Sequence, residues 1–373
     1  MKIKQCTAYN HKNCEISQEK WASFTRRMQS EDWLVDDTLV NDWHSFDCLH
    51  YNKNDGLVYA GLTAMNGDFF YTFNPENGHF ESLKFPNTGD RYAHKIHFGL
   101  QQDSAGIFYG GVATLSDVDI WPNAQGGQLF RYNPSNKKYQ LLGIPIPNDY
   151  IQGIVLDECR NRIYGNTFPG RNLFCFDMET GKTRILTNFG ATLSEAVIMD
   201  TSGGIWHNYH LAQWANRTPL LRYSPETDSI EFLNLDLPDA QNLGRSTIDS
   251  YVRTEDQNVY IGGIDGSLSI LLPDVPSITY LGRPAPGKRI KGLAEAPNGL
   301  ILGVAGSEYN TVLFSYHRDK NSFDILGPVQ DSRNGKRAWL VHDLCMVDET
   351  TLVAAETDNP HRASSLFVLR LSV

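Results

Sequence analysis

Four groups that titrate or carry charge, Arg91, His94, Lys95 and His97, precede an ordinary strand-and-turn pattern in "RYAHKIHFGLQQDSAGIFYGG". Imidazoles take up and release protons near neutrality, and a guanidinium or ammonium steadies a growing negative charge. The grouping therefore suits proton abstraction beside an anion. His97 also belongs to a wider pattern. Counting back nine residues from the glycine, or its equivalent, in each of seven similar strands (eight in the sixth) reaches Asp47, His97, Gln152, Glu195, Asp249, Lys291 and His342. All seven are polar or ionisable. A water-filled channel needs polar lining in any case, but two histidines, a lysine and three carboxylates make a ring that could also work chemically.

Other cations fall just ahead of the same strands: Lys288 and Arg289 in "PGKRIKG", Lys336 and Arg337 in "NGKRAWLVH", and Arg245 in "GRSTID". Singly, each reads as a solvated loop charge. Together they can capture a carboxylate or another small anion. Trp121, Tyr209, Trp214 and Trp339 lie in or beside these loops, where an aromatic ring either packs the loop down or stacks on a sugar face. The combination predicts a cleft for an acidic saccharide.

On a uronate two reactions are natural. Hydrolysis uses a pair of carboxylates, for which Asp47, Glu195 and Asp249 are candidates. Elimination needs a base for the proton next to the carboxylate, and a cation or donor for the charge that develops there. His44, His94, His97, Tyr150, Tyr251 and His342 are candidate bases, with Lys291 and the loop arginines as carboxylate clamps. Elimination fits this inventory better. The three carboxylates could instead hold calcium, and His97, Gln152 and His342 a softer divalent metal, although a hydrogen-bonded ring without metal is the plainer reading. His207 and His210 in "HNYH" are a weak metal signal.

These residues need a scaffold, and the chain advertises one. Second strands of one type begin at "GLVYAG" (56), "GIFYGG" (106), "NRIYGN" (161), "GIWHN" (204), "NVYIGG" (258), "GLILGV" (299) and "TLVAAE" (351). The spacing of about 40 to 55 residues is that of four-stranded propeller blades. Tight third-to-fourth turns recur as "NPENGHF", "NPSNKKY", "DMETGKT", "SPETDSI" and "HRDKNSF", rich in residues that hairpin turns favour. The expected fold is all-β, a seven-bladed β-propeller over residues 41–373, with 1–40 an N-terminal segment holding a short helix and a strand that closes the ring. The seventh repeat lacks its fourth strand. "DWLVDDTLV" (32–40), just upstream of the first blade, is the first choice to supply it, and "MKIKQCTAY" the second. Long second-to-third inserts in repeats 2, 4 and 7, including "ETDNPHRAS", elaborate the face that carries the ring, where binding residues commonly sit.

Composition narrows the partners. With 43 acidic against 33 basic side chains, a formal charge of −10 disfavours non-specific binding to nucleic acid or to an anionic membrane surface. Neither a secretory h-region nor an apolar run of membrane-spanning length is visible, so the expectation is a cytoplasmic protein, or a periplasmic or secreted one if a leader has been removed. Cys6, Cys14, Cys48, Cys159, Cys175 and Cys345 lack metal spacing and read as free thiols, and the lone sequon Asn216-Arg217-Thr218 is expected by chance. Oligomeric state is not readable.

In "AHKIHFGL", the "GLVYAG"-type strands and the terminal "VHDLCMVDETTLVAAETDNPHRASSLFVLRL", the chain resembles the seven-bladed propeller polysaccharide lyases that act on uronate-containing glycans. These include ulvan lyases and rhamnose–glucuronate lyases. The resemblance covers residues 41–373. It implies β-elimination by histidines at the channel mouth beside a cation that neutralises the substrate carboxylate. By location His94, His97 and His342 match the histidine role, with Arg91, Lys291 and Arg362 as clamps. Read from the residues alone, Tyr150, Trp121, Trp214 and Trp339 are further candidate substrate contacts. A glycoside hydrolase on the same glycans and a non-catalytic binding platform are the alternatives, since the fold alone does not imply catalysis.

Overall fold

A computed structural model describes residues 1–12, 14–19, 21–22, 42–65, 68–114, 123–192, 194–211, 217–238, 246–285 and 289–372. Among them the strands form seven four-stranded antiparallel sheets, and the fold is a seven-bladed β-propeller. Blade 1 opens at His44–Asn52, blade 2 at Gln101–Gln102, blade 3 at Tyr150–Asp157, blade 4 at Ile198–Met199, blade 5 at Ile248–Arg253, blade 6 at Ile290–Glu295 and blade 7 at Leu340–Met346. Two compact units are distinguished: Tyr9–Thr187 with Ala355–Leu366, and Met1–Ala8 with Asn188–Ala354 and Phe367–Val373.

The repeated turns form for one backbone reason. In all five quoted turns the fifth residue has positive φ: Gly78 (76°), Lys137 (54°), Gly181 (68°), Asp228 (50°) and Asn321 (47°). That left-handed corner suits Gly, Asn and Asp. Side-chain oxygens at the head of the turn brace it; Asn74 Oδ1 accepts from the Glu76 amide at 2.9 Å, and Asp177 Oδ1 from the Thr180 amide at 2.8 Å.

Second strands are buried along nearly their whole length, as in Leu57–Ala64 and Ile301–Ala305, whereas outer strands such as Lys182–Asn188 and Ser322–Pro328 expose every few residues. An inner strand covered on both faces reads as a continuous apolar run, and an outer one does not. The glycine of the second strand makes room for a phenylalanine opposite it on the third. Gly110 pairs with Phe130, Gly165 with Phe174 and Gly303 with Phe314; a Cβ at these glycines would lie 2.3, 2.6 and 2.3 Å from the ring.

The fourth strand of blade 7 is Lys2–Tyr9, which pairs with Leu366–Ser372. The closing strand is thus "KIKQCTAY" and not the stretch nearest blade 1; residues 32–40 lie outside the described residues. Burial explains the choice. Cys6 is 1% exposed in a core with Leu313, Val329, Leu352 and Phe367, and Ile3 and Ala8 pack against it. Polar pins add to the packing: the Ala8 amide donates to Asp331 Oδ2 at 3.1 Å and the Cys6 amide to Ser332 Oγ at 2.9 Å. Of the helix-spaced segment "SQEKWASFTRRM", only 17–19 and 21–22 are described, with the Trp21 amide donating to the Ser17 carbonyl. All six cysteines are free thiols, and among the described residues no helix is long and apolar enough to cross a membrane.

Candidate functional site

The counted column has a structural cause. Asp47, Gln152, Asp249 and Lys291 each sit where the ladder between first and second strands slips by one residue, between Phe46 and Cys48, Ile151 and Gly153, Ile248 and Ser250, and Ile290 and Gly292. A β-bulge leaves its extra residue unpaired and re-aims the side chain. Four blades therefore present one side chain in the same phase, and the periodicity found in the sequence is the phase of the bulge. Small residues follow three of the four. Glycine tolerates the close approach there: a Cβ on Gly292 would meet Leu344 Cγ at 2.9 Å and the Asp343 carbonyl carbon at 3.1 Å.

Within the unit of blades 4–7, four column residues converge. Lys291, 3% exposed, places its ammonium on Glu195 Oε2 and 3.7 Å from Asp249 Oδ1. Arg289, which takes φ of 65° just before the bulge, grips Asp249 with two bonds, Nε to Oδ2 and Nη2 to Oδ1, both 2.7 Å. His342 Nε2 lies 3.8 Å from Glu195 Oε2. The cluster is a chain of alternating charge, Arg289, Asp249, Lys291 and Glu195, ending on an imidazole. Its middle is sealed. Glu195 and Arg289, with side chains 30% and 29% exposed, are its open members.

Within the unit of blades 1–3 the same position gives something different. Lys95 Nζ stands 3.1 Å from Asp47 Oδ1, and the Thr63 hydroxyl donates to Asp47 Oδ2 at 2.6 Å. The pair is closed, the two side chains being 11% and 1% exposed. Loss of hydration pushes the Asp47 carboxyl up to about 6 against the opposing pull of Lys95 and Thr63. His97 is buried, with a ring nitrogen within 4.8 Å of an Asp47 oxygen. His94 is buried too, and loss of hydration lowers it to about 4, so it is neutral at pH 7.

The remaining expected residues divide. Arg91 is exposed, with its guanidinium carbon 5.1 Å from the Tyr92 ring centre. Trp339 is half-buried and meets Tyr309 edge-on at 4.9 Å. Tyr150 is buried and donates to Asp90 Oδ2 at 2.8 Å; burial raises its phenol well above the ordinary range, so it serves as a hydrogen-bonding strut. Burial likewise pushes the Tyr251 phenol up to about 12. Arg362 is spoken for: its Nη2 meets Glu356 Oε1 at 2.7 Å, and Glu356 also takes the Asn359 amide group and the Ser365 N–H. The blade 7 insert that holds them is strapped to blade 1, with Trp43 Nε1 donating to the Asn359 carbonyl at 3.1 Å and Ser45 Oγ bonded to Thr357 Oγ1 at 2.7 Å. His44 packs at 4.1 Å on His11, and His207 lies in the core beside Phe189, both lowered by burial. Trp121, Trp214, Arg245 and Lys288 lie outside the described residues.

Lys95 and Arg289 matter more than the sequence pattern suggests. They read as loop cations, yet both carry ion pairs with column carboxylates. Their signal was position: each stands two residues ahead of a column residue, His97 or Lys291.

No protein-family model and no curated protein matches the chain. Solved structures do. The extracellular domain of the putative one-component system BT4673 from B. thetaiotaomicron is 17% identical over 87% of this chain, with a TM-score of 0.59; this chain spans 38% of that one. A catalytically inactive histidine-to-alanine variant of virginiamycin B lyase from Staphylococcus aureus, with quinupristin, is 13% identical over 88% of this chain and 96% of that one, at 0.61. A streptogramin B lyase is 13% identical over 87% and 94%, at 0.62. At such identities the likeness establishes the propeller fold and nothing finer.

Proposed function

We propose that the protein is a carbohydrate-active lyase that cleaves a uronate-containing oligo- or polysaccharide by β-elimination. The observation that carries this reading is the His342–Glu195 pair at 3.8 Å, set by blade 7 and blade 4 in a cluster whose open members include a guanidinium. In this reading His342 takes the proton from the sugar carbon beside the substrate carboxylate; its side chain is 3% exposed, so the step needs the cluster to open around the ring. The electron pair released forms the carbon–carbon double bond, the bond to the glycosidic oxygen breaks, and that oxygen leaves with a proton from solvent. Arg289 faces the substrate carboxylate as charge grows on it. The similar virginiamycin B lyase supports the reading only in that a lyase on this fold is inactivated by loss of one histidine.

A second reading is a ligand-binding propeller without turnover. It is favoured by the internal matching of Lys291, Arg289 and Lys95 to carboxylates and by the similarity to the extracellular domain of a putative one-component system. Incubation with uronate-containing oligosaccharides, followed by ultraviolet absorbance and product mass, separates the readings. A conjugated double bond in products that have not gained water supports elimination. Products with water added and no chromophore overturn it in favour of hydrolysis, and binding without cleavage favours the platform.

A further inference from the structure

We propose that Lys291 is a positioning residue that holds Glu195 beside His342 and does not itself meet the substrate. The proposal rests on the elimination reading for its kinetic consequence, but not for its geometry.

Lys291 occupies a bulge on the first strand of blade 6, so its side chain leaves the ladder, yet it is only 3% exposed. An ammonium sealed to that degree is stable only when paired. It has two anions, Glu195 in contact and Asp249 at 3.7 Å. Asp249 is in turn fixed by the two-pronged grip of Arg289. A carboxylate held so by a planar guanidinium cannot turn, and it anchors one side of Lys291. The other side of Lys291 then determines where the Glu195 carboxylate rests. Glu195 is a half-buried side chain with several rotatable bonds, at a point where its blade has no regular strand until Ile198. Removing the ammonium takes away the charge in contact with Glu195, whose carboxylate stands 3.8 Å from the imidazole. An incoming uronate would meet Arg289, which is 29% exposed, before it could reach Lys291 at 4%. This division of labour separates two cations that look equivalent in "KRIKG".

The distinction is measurable without turnover. In protein labelled with ¹⁵N-lysine, the Lys291 ammonium, identified by its loss in Lys291→Arg, should give a signal protected from solvent exchange. It should shift in Glu195→Gln and in Asp249→Asn, and should not shift on saturation with glucuronate. A signal that moves with glucuronate and ignores Glu195→Gln would overturn the proposal and make Lys291 a substrate clamp.

Kinetics supply the second arm. Lys291→Met should lower kcat on the order of 100-fold with KM within about twofold, the mark of a misplaced catalytic group. Arg289→Met should instead raise KM. Lys291→Arg, which keeps the cation and guards against a variant that does not fold, should recover most of kcat. A rise in KM for Lys291→Met with kcat preserved would contradict the assignment. Should no substrate be turned over, the elimination reading falls while the ammonium signal still decides whether Lys291 is a holder or a clamp.

Discussion

The bulge position of blade 1 and those of blades 5 and 6 are the same backbone device put to different ends. At Asp47 it points a carboxylate into a closed pocket shared with Lys95 and Thr63, where loss of hydration lifts the acid to about 6. At Asp249 and Lys291 it builds a longer chain of charges whose ends, Arg289 and Glu195, remain open. The device supplies direction, and what surrounds it decides whether the side chain becomes strut or site. A sealed ion pair cannot take a ligand without being broken. An alternating chain with open ends can exchange a partner at one end while the buried middle stays matched.

If the Asp47–Lys95 pair is sealed, breaking it should have the largest effect on stability. Lys95→Met leaves an unmatched buried carboxylate and should cost about 3–5 kcal/mol in denaturant unfolding at pH 7. A cost under about 1 kcal/mol, the range of exposed pairs, would remove the contrast.

Acid should separate the regions next. His11 and His94 in the unit of blades 1–3, and His207 in the unit of blades 4–7, are lowered to about 4, with His44 in the former unit also well below its ordinary value, all mainly by burial. The folded state then binds fewer protons than the unfolded chain between about pH 6.5 and 4. Stability is therefore full above the unfolded value and is lost as pH falls through that window, by up to about 3 kcal/mol per ring. Asp47 acts oppositely. Its raised acid makes the folded state bind more protons between about pH 4 and 6, partly offsetting the loss in the same unit. Unfolding followed against pH should steepen in Asp47→Asn, where that offset is gone, and flatten in His94→Gln. An unchanged slope in both variants would mean that these burials are not retained in solution.

Smaller effects sharpen the comparison. Gly303→Ala, which brings a methyl group to 2.3 Å from Phe314 in a closely packed blade, should cost about 1–3 kcal/mol. Glu195→Gln should cost less than about 1 kcal/mol, because Asp249 remains to match Lys291. Unfolding of the two variants side by side would show whether the open cluster is less important to stability than the blade interior. Equal losses would place Glu195 among the struts.

Much of this was legible in the sequence because it repeats. Five turns share a left-handed fifth residue, and in three blades a second-strand glycine faces a phenylalanine, so the repeat and its phase show in the spacing. The column was legible for the same reason, since a bulge fixes which residue leaves the ladder. Partners were not legible. Whether Lys291 faces a substrate or Glu195 depends on another blade 96 positions away, which no local pattern encodes. The blade 7 insert reads as a binding loop because it is long and polar; Thr357 and Asn359 in it are bonded to Ser45, Trp43 and Glu356. Ring closure was misplaced because proximity to blade 1 suggested 32–40, whereas Cys6, Ile3 and Ala8 fill the edge of blade 7.

The role of His342 is decided by comparing wild type with His342→Ala on the uronate oligosaccharide that gives the largest ultraviolet signal, measuring turnover by absorbance and binding by calorimetry. Turnover should be lost with binding retained within a few-fold. Turnover unchanged in His342→Ala would contradict that role and remove His342 from the chemistry.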